Sequence, residues 1–209
     1  GTAVAGADLR VVSCHLGGSS SITGTRNGAA IGNSMGLSPQ SGLPMNNRVG
    51  DLDSMAIPFV MKQLGISADE AVDQMCSEGG LKGISGVSND MRDISEAAEA
   101  GNERAQLALD CLAHSARHWI GSFHLELNGL DALVFTAGIG ENRASIRKAI
   151  CADLDQLGIV LDDDANELAQ ATEAVISAAD SKVKVMVIPT NEELVVAREV
   201  KRFLESTKN

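Results

Sequence analysis

The stretch Asp131-Ala132-Leu133-Val134-Phe135-Thr136-Ala137-Gly138-Ile139-Gly140-Glu141-Asn142 decides the fold. A short apolar strand, Asp131 to Thr136, runs directly into a glycine turn, and Arg143 to Leu157 then reads as a helix. Strand, tight turn and helix are the repeating unit of α/β sheets, and ligands of such sheets bind at the carboxyl ends of strands. Glycines there let backbone approach a ligand closely, and a helix N-terminus offers free N–H groups to an anion. The spacing is not that of the dinucleotide G-x-G-x-x-G fingerprint. By itself the stretch therefore fits a ligand loop and a plain tight turn equally well.

Working outward, residues 102–127 form the best helix, with Ala105, Ala108, Leu112, Trp119, Phe123 and Leu127 on one stripe. Towards the C-terminus, Val183 to Ile188 is a strand rich in β-branched residues, and Pro189-Thr190-Asn191 caps a last helix, Glu192 to Glu205. Towards the N-terminus, Leu9 to Leu16 is a buried strand and Gly17 to Ser21 a small-residue turn. A second strand, Ile22 to Thr25, the hairpin signal Asn27-Gly28 and a third strand, Ala29 to Gly32, complete a meander. Residues 33–50 are a long loop, Asp51 to Leu64 reads as helical with Pro58 marking a restart or a kink, and Ser67 with Glu70 is a capping box. A Gly/Ser-rich stretch, Leu81 to Asp90, and a short helix, Asp93 to Ala100, come before the long helix. The order β-β-β, helices, β, helix, β, helix predicts one α/β domain over residues 1–209, a mixed sheet covered by helices.

Composition excludes several classes of function. Hydrophobic residues are 44% and charged residues 22% of the 209, which is globular and not disordered. Aromatics are 2%, with no Tyr and one Trp, so a nucleic-acid binder built on base stacking is not expected. The net charge of −11 has the wrong sign for a phosphate-backbone or anionic-membrane footprint. Any bound phosphate must be held locally, by backbone N–H groups and a few Arg. The four cysteines, 14, 76, 111 and 151, include no C-x-x-C pair, which predicts free thiols in a cytoplasmic protein. No apolar run reaches the roughly 18 residues of a membrane span, and no signal peptide is visible. The chain begins Gly-Thr and not Met, as a processed or truncated chain would.

Several clusters carry chemistry-bearing residues. Cys14-His15-Leu16-Gly17-Gly18-Ser19 makes a hairpin turn that can wrap a phosphate, or a simple hairpin with a core His. Arg48, among Asn and Gly, suits bidentate recognition of phosphate or carboxylate, or is a solvated surface Arg. Asp90-Met91-Arg92-Asp93 reads as a helix start with local ion pairs. Glu192 and Glu193 complement a helix dipole, or help to hold Mg²⁺. His114 and His118, four apart on the long helix, read as polar-face histidines, not metal ligands.

Taken together and in order, the motifs resemble the acetate kinase family, that is, acetate and propionate kinases. They are CHLGG at 14–18, SMGLSPQSGL at 34–43, NRVGDLD at 47–53, GISGVSNDMRDI at 83–94, GNERAQLALD at 101–110, DALVFTAGIGEN at 131–142 and VIPTNEEL at 187–194. The resemblance implies a ribonuclease-H-like fold of the acetate and sugar kinase, Hsp70 and actin superfamily, with helices on both faces of the mixed sheet. It implies reversible transfer of the γ-phosphoryl of ATP to a short-chain carboxylate, giving ADP and an acyl phosphate, with Mg²⁺. By the same resemblance, His15, Leu16, Gly17, Gly18 and Ser19 hold the β- and γ-phosphates, with His15 donating to the transferring group. Asp90, Met91 and Arg92 border the nucleotide, and Gly138, Ile139, Gly140, Glu141 and Asn142 lie against the adenosine. Arg48 stabilises the in-line transition state, and Glu192 assists the metal.

The chain departs from the family pattern at a few positions. In the hairpin, usually HLGNG, Gly18 replaces Asn and Ser19 replaces Gly. Ala137 replaces a Gly, and Asn47 and Val49 replace Thr and Ser beside Arg48. The resemblance covers only the C-terminal of the family's two domains. The N-terminal domain would supply an Asn, a second Arg, a catalytic Asp, a His and much of the carboxylate pocket. The chain is therefore expected to be the nucleotide-binding and homodimer-forming half, to lack turnover alone and to expose an apolar face. The alternative is a non-catalytic nucleotide-binding or assembly module of the same fold, and the presence of both Arg48 and Glu192 favours a kinase.

Overall fold

Strand alternation sets the face of the sheet that becomes the core. In β1 (Arg10–Leu16), Val12, Cys14 and Leu16 are fully buried, while Val11, Ser13 and His15 on the opposite face are half-buried. The computed structural model describes residues 8–207; the Gly-Thr start and the last two residues lie outside the described residues. β2 (Ser20–Arg26) pairs antiparallel with β1, and β3 (Ala29–Asn33) pairs antiparallel with β2. Between them Asn27 and Gly28 take φ of 54° and 82°, the doubly positive pair that a two-residue hairpin turn requires.

The parallel half of the sheet follows. β4 (Ala132–Thr136) pairs with β1, and β6 (Lys184–Val187) pairs with β4, both parallel. β5 (Ala174–Val175) lies antiparallel on the outer edge of β6, giving the order β3-β2-β1-β4-β6-β5. Asp131 pins the register at the start of β4. Its carboxylate accepts from the Arg10 backbone N–H at 2.8 Å and pairs with the Arg10 guanidinium at 2.8 Å.

The core lies between this sheet face and helix α5 (Glu103–Glu126). Asn102 starts the helix by accepting from the N–H groups of Arg104 (3.0 Å) and Ala105 (3.1 Å). Its buried stripe runs Ala105, Ala108, Leu112, Ala116, Ile120 and Phe123, whereas Trp119 is only half-buried. The steps of three and four residues keep that stripe on one side of the helix, and Trp119, three residues after Ala116 and four before Phe123, lies on the same side and packs against the core. Phe123 seats against two strand glycines. A Cβ on Gly24 would lie 2.6 Å from its ring, and one on Gly32 would lie 2.8 Å from it.

The remaining helices shift several expected boundaries. α1 (Ala56–Leu64) begins later than Asp51, and Pro58 sits in its first turn, where a missing N–H leaves no bond unmade, so Pro58 is no kink. α2 (Ala68–Ser77) opens on the expected capping box of Ser67 and Glu70. α3 (Gly80–Ser85) occupies part of the supposed loop from Leu81 to Asp90. α4 (Met91–Glu99) starts two residues before Asp93, because the Asp90 carboxylate caps it through the Arg92 N–H at 2.8 Å. Ala137 to Asn142, expected as a turn, is a short helix, α6 (Ala137–Asn142). α7 (Ala144–Cys151) stops six residues short of Leu157, which instead ends a 3-10 turn, Asp155–Leu157. α8 (Asp163–Leu168) and β5 have no periodic signal in the sequence. α9 (Glu192–Ser206) follows β6 and buries none of its residues. Among the described residues no helix is long and apolar enough to cross a membrane. All four cysteines are free; Cys14 and Cys151 are buried, and burial pushes the Cys151 thiol up to about 12.

Candidate functional site

β1 and β4 end side by side, His15 paired in register with Thr136, so the hairpin turn after β1 and the helix after β4 meet at the carboxyl edge of the sheet. The turn Gly17-Gly18-Ser19 is closed by a Gly17 N–H to Ser19 carbonyl bond of 3.2 Å and by the Ser20 hydroxyl donating to the Gly17 carbonyl at 3.2 Å. Gly17 faces the first residue of α6: a Cβ there would lie 3.4 Å from the Ala137 Cβ. Ala137 has φ of 65°, a left-handed conformation that glycine adopts freely and alanine does not. A glycine at this position would carry no such strain.

Beside the turn lies the loop Met45–Arg48. Its carbonyls at Met45 and Asn46 accept from the N–H groups of Leu81 (2.8 Å) and Lys82 (2.9 Å) at the start of α3. The N-terminus of α4 closes the third side. Together these elements enclose a cleft of about 570 Å³ lined by Gly17, Gly18, Asn46, Asn89, Asp90, Met91, Arg92, Gly138, Ile139, Asn142 and Arg143. That volume suits a nucleotide-sized ligand. The wall is polar and charged: Arg92 pairs with Asp90 at 2.6 Å. Hydrogen bonds from Arg92, aided by the nearby charge of Arg143, hold the Asp90 carboxyl at about 2, so it is ionised at neutral pH.

The sequence-predicted residues divide into three groups. Gly17, Gly18, Asp90, Met91, Arg92, Gly138, Ile139 and Asn142 line the cleft. His15, Ser19 and Arg48 are not in the lining but adjoin the hairpin turn. The His15 Nε2 lies 3.9 Å from a Cβ built on Gly17, and Arg48 Nη1 donates to Ser19 Oγ at 2.7 Å and to the Pro39 carbonyl at 3.3 Å. Leu16, Gly140, Glu141 and Glu192 are not in the lining. Leu16 is core, and Gly140 packs on the sheet, where a Cβ would meet the Cys14 carbonyl at 3.5 Å.

The Glu141 carboxylate turns inward. One oxygen accepts from the Ala137 N–H (2.8 Å), the Thr190 N–H (3.0 Å) and the Thr190 hydroxyl (3.3 Å). It thereby caps α6, whose Thr136 side chain makes no cap, and ties α6 to the segment after β6.

Sequence reasoning missed Asn46, Asn89 and Arg143 in the lining, although each adjoins or nearly adjoins a flagged residue. It also missed Arg147. This side chain is fully buried and donates from Nη1 to the carbonyls of Gly140 (2.9 Å) and Glu141 (3.0 Å). Its Nε reaches Asn166 Oδ1 at 2.8 Å, and Nη2 reaches the carbonyls of Asn166 (2.6 Å) and Ala169 (2.9 Å). Among the described residues no carboxylate pairs with it, and desolvation pulls its pKa below the ordinary Arg value. Arg147 thus takes up the open carbonyls at the end of α6.

Metal ligation was tested on the same residues. Among the described residues no three His, Cys, Asp or Glu side chains cluster, and His114 and His118 are exposed. Mg²⁺ needs only one or two carboxylates when it arrives on phosphates. Glu192 is exposed, two residues beyond the Thr190 anchor to α6, and does not line the cleft. A second cleft of about 420 Å³, between loop residues such as Leu37 and Leu52 and the helices α1 and α2, is mainly apolar.

Comparison with known proteins gave concordant matches. A family model described as the acetokinase family matches residues 3–198. The acetate kinase of Heliobacterium modesticaldum is 47% identical over 198 residues, covering 95% of this chain and 49% of that protein. That of Clostridium novyi is 48% identical over 198 residues, covering 95% and 49%. A crystal structure of Porphyromonas gingivalis acetate kinase superposes with a TM-score of 0.90 at 38% identity, covering 94% of this chain and 49% of that one. A propionate kinase from Francisella tularensis gives 0.85 at 40% identity, covering 92% and 49%. The chain spans about half the length of the curated relatives it matches.

Proposed function

The chain belongs to the acetokinase family, and from that premise we propose that it is the nucleotide-binding, C-terminal half of a kinase for short-chain carboxylates. The complete enzyme would move the γ-phosphoryl of ATP reversibly to acetate or a close homologue, giving ADP and an acyl phosphate. The observation that carries this reading is the cleft itself, in which a glycine turn, the N-terminus of α4 and Gly138 of α6 converge at the carboxyl edge of the sheet.

Phosphoryl transfer asks a protein mainly for positioning and electrostatic stabilisation. In this reading the Gly17-Gly18 turn approaches the phosphates closely, because neither residue carries a side chain. Gly138, Ile139 and Asn142 border the adenosine, and His15 donates to the transferring group from the end of β1. Arg48, held at the hairpin by Ser19, supplies positive charge to the in-line transition state. Glu192 would be the chain's assisting carboxylate for Mg²⁺, which would supply charge neutralisation at the phosphates when bound. An Arg fixed beside the phosphate turn has no role in a non-catalytic nucleotide-binding module, and its presence favours the kinase reading.

Turnover would require the second domain of the family. The cytoplasm is the expected compartment and a homodimer the expected assembly, the latter supported by exposed Phe59 and Leu64 on α1 and Val196 and Phe203 on α9; sedimentation tests the dimer.

Calorimetric titration of the chain with Mg·ADP tests the nucleotide site. Gly138→Arg is the control of choice: Gly138 is exposed, lines the cleft, and a Cβ there meets nothing within 4 Å. Gly140 is buried, so an Arg there would disrupt the fold instead. Saturable binding that Gly138→Arg abolishes supports the reading, and a folded wild-type chain that binds no ADP overturns it.

A further inference from the structure

Among the described residues two buried side-chain polar atoms lack a hydrogen-bond partner, Gln40 Oε1 and Asn46 Oδ1, and only Asn46 lines the charged cleft. Its backbone is held on both sides. The Asn46 N–H points to the Gly18 carbonyl at 3.5 Å, and its carbonyl accepts from the Lys82 N–H at 2.9 Å. The side chain projects over the hairpin. Its Nδ2 lies 3.7 Å from a Cβ built on Gly18, and no other heavy atom outside the flanking residues comes within 4 Å of that point. The space a residue-18 side chain would enter therefore holds the Asn46 amide.

An amide without protein partners can turn over about its terminal bond at no loss of hydrogen bonds, so it can present two N–H donors or one acceptor. The buried oxygen meets no protein donor, so nothing locks the amide, and Nδ2, which makes no hydrogen bond among the described residues, is the donor beside the cleft-lining Gly18 turn. The nearest ligand-binding feature is the side-chain-free turn at Gly17-Gly18, which admits a phosphate. We propose that Asn46 is a phosphate ligand of this cleft, its Nδ2 donating to the terminal phosphate of a bound nucleoside diphosphate over the Gly18 turn. It supplies from across the loop the amide that the resembling family carries at position 18, where this chain has Gly. The inference rests on the nucleotide reading of the cleft.

The test is calorimetric titration of Mg·ADP and of AMP against the wild-type chain and four folded variants: Asn46→Ala, Asn46→Asp, Gly18→Asn and the double variant Gly18→Asn/Asn46→Gly. Thermal unfolding controls for structure. Asn46→Ala is expected to weaken ADP about tenfold, as losing a bond to a charged group does, and to leave AMP nearly unchanged. Asn46→Asp should weaken ADP further, because a carboxylate repels phosphate at the same volume. Gly18→Asn alone crowds the amide and should weaken ADP, whereas the double variant should recover most of it. Unchanged ADP affinity in Asn46→Ala overturns the assignment, as does equal weakening of ADP and AMP, the mark of a loosened loop. Absence of ADP binding by the wild-type chain is a separate result, which overturns the nucleotide reading itself and this assignment with it.

Discussion

Replacing Arg147 by Met keeps a side chain of similar length and deletes every donor that answers five acceptors. The site is fully buried, so water does not replace the lost donors. The carbonyls of Gly140 and Glu141 end α6, where a helix supplies no partner of its own. The Glu141 carbonyl keeps the Ala171 N–H at 3.4 Å, but leaving the Gly140 carbonyl open costs about 1–3 kcal/mol, and the three contacts with Asn166 and Ala169 add to this. Against that sum stands the relief of burying no charge. Desolvation leads the causes that lower the Arg147 pKa, so the guanidinium is itself costly to bury. Set against that relief, four neutral buried acceptors left without a donor give a net loss of about 3–5 kcal/mol. We expect Arg147→Met to lose that much, a large part of the roughly 5–15 kcal/mol available to a domain. Urea unfolding followed by circular dichroism reads it. With a slope of about 2 kcal/mol per molar, the midpoint should fall by roughly 1.5–2.5 M. Arg147→Lys, which keeps the charge but only one nitrogen, should lie between. A midpoint shift below about 0.5 M in Arg147→Met would refute the view that this side chain holds α6, and with it the cleft wall, in place.

Two further results are expected from the same structure. Ala137→Gly relieves a left-handed alanine, worth about 1–2 kcal/mol, at an entropic cost of about 0.5–1 kcal/mol, so chemical denaturation should show a net gain near 0.5–1 kcal/mol; a loss would mean the Ala137 methyl is needed against Gly17. The Asp90 carboxyl, lowered to about 2 by Arg92, contributes stability that is complete above the ordinary carboxylate range and disappears as pH falls through about 2. Carbon-13 NMR titration should place its midpoint there, and Arg92→Ala should move it up towards 3.8.

Much of this was legible where the signal is local. The meander through β1, β2 and β3 follows from short apolar runs closed by glycine turns and from Asn27-Gly28, and α5 follows from its 3.6-residue stripe. What resisted reading depends on contacts distant in sequence. Residues 137–142, with two glycines, carry no helical propensity; they are helical because Glu141 caps them from within and Arg147 and Thr190 tie them down. β5 is two residues long and exists only as a partner for β6. At the candidate site the glycine turns and Asp90–Arg92 are short-range motifs and were visible. The inward turn of Glu141 was not, since a string of residues does not say which way a side chain faces. Nor was the bond between Arg48 and Ser19, whose residues lie 29 apart. It gives the Ser that replaces a family Gly a definite partner.

Amide chemical-shift mapping of the isotope-labelled chain titrated with Mg·ADP tests the central claim most directly. The account predicts saturable shifts at Gly17, Gly18, Asn46, Met91, Arg92 and Gly138 to Asn142, with the residues of α1 and α2 unmoved. Shifts gathered instead around Leu37, Val49 to Leu52, Val72 and Met75, the second cleft, would contradict it.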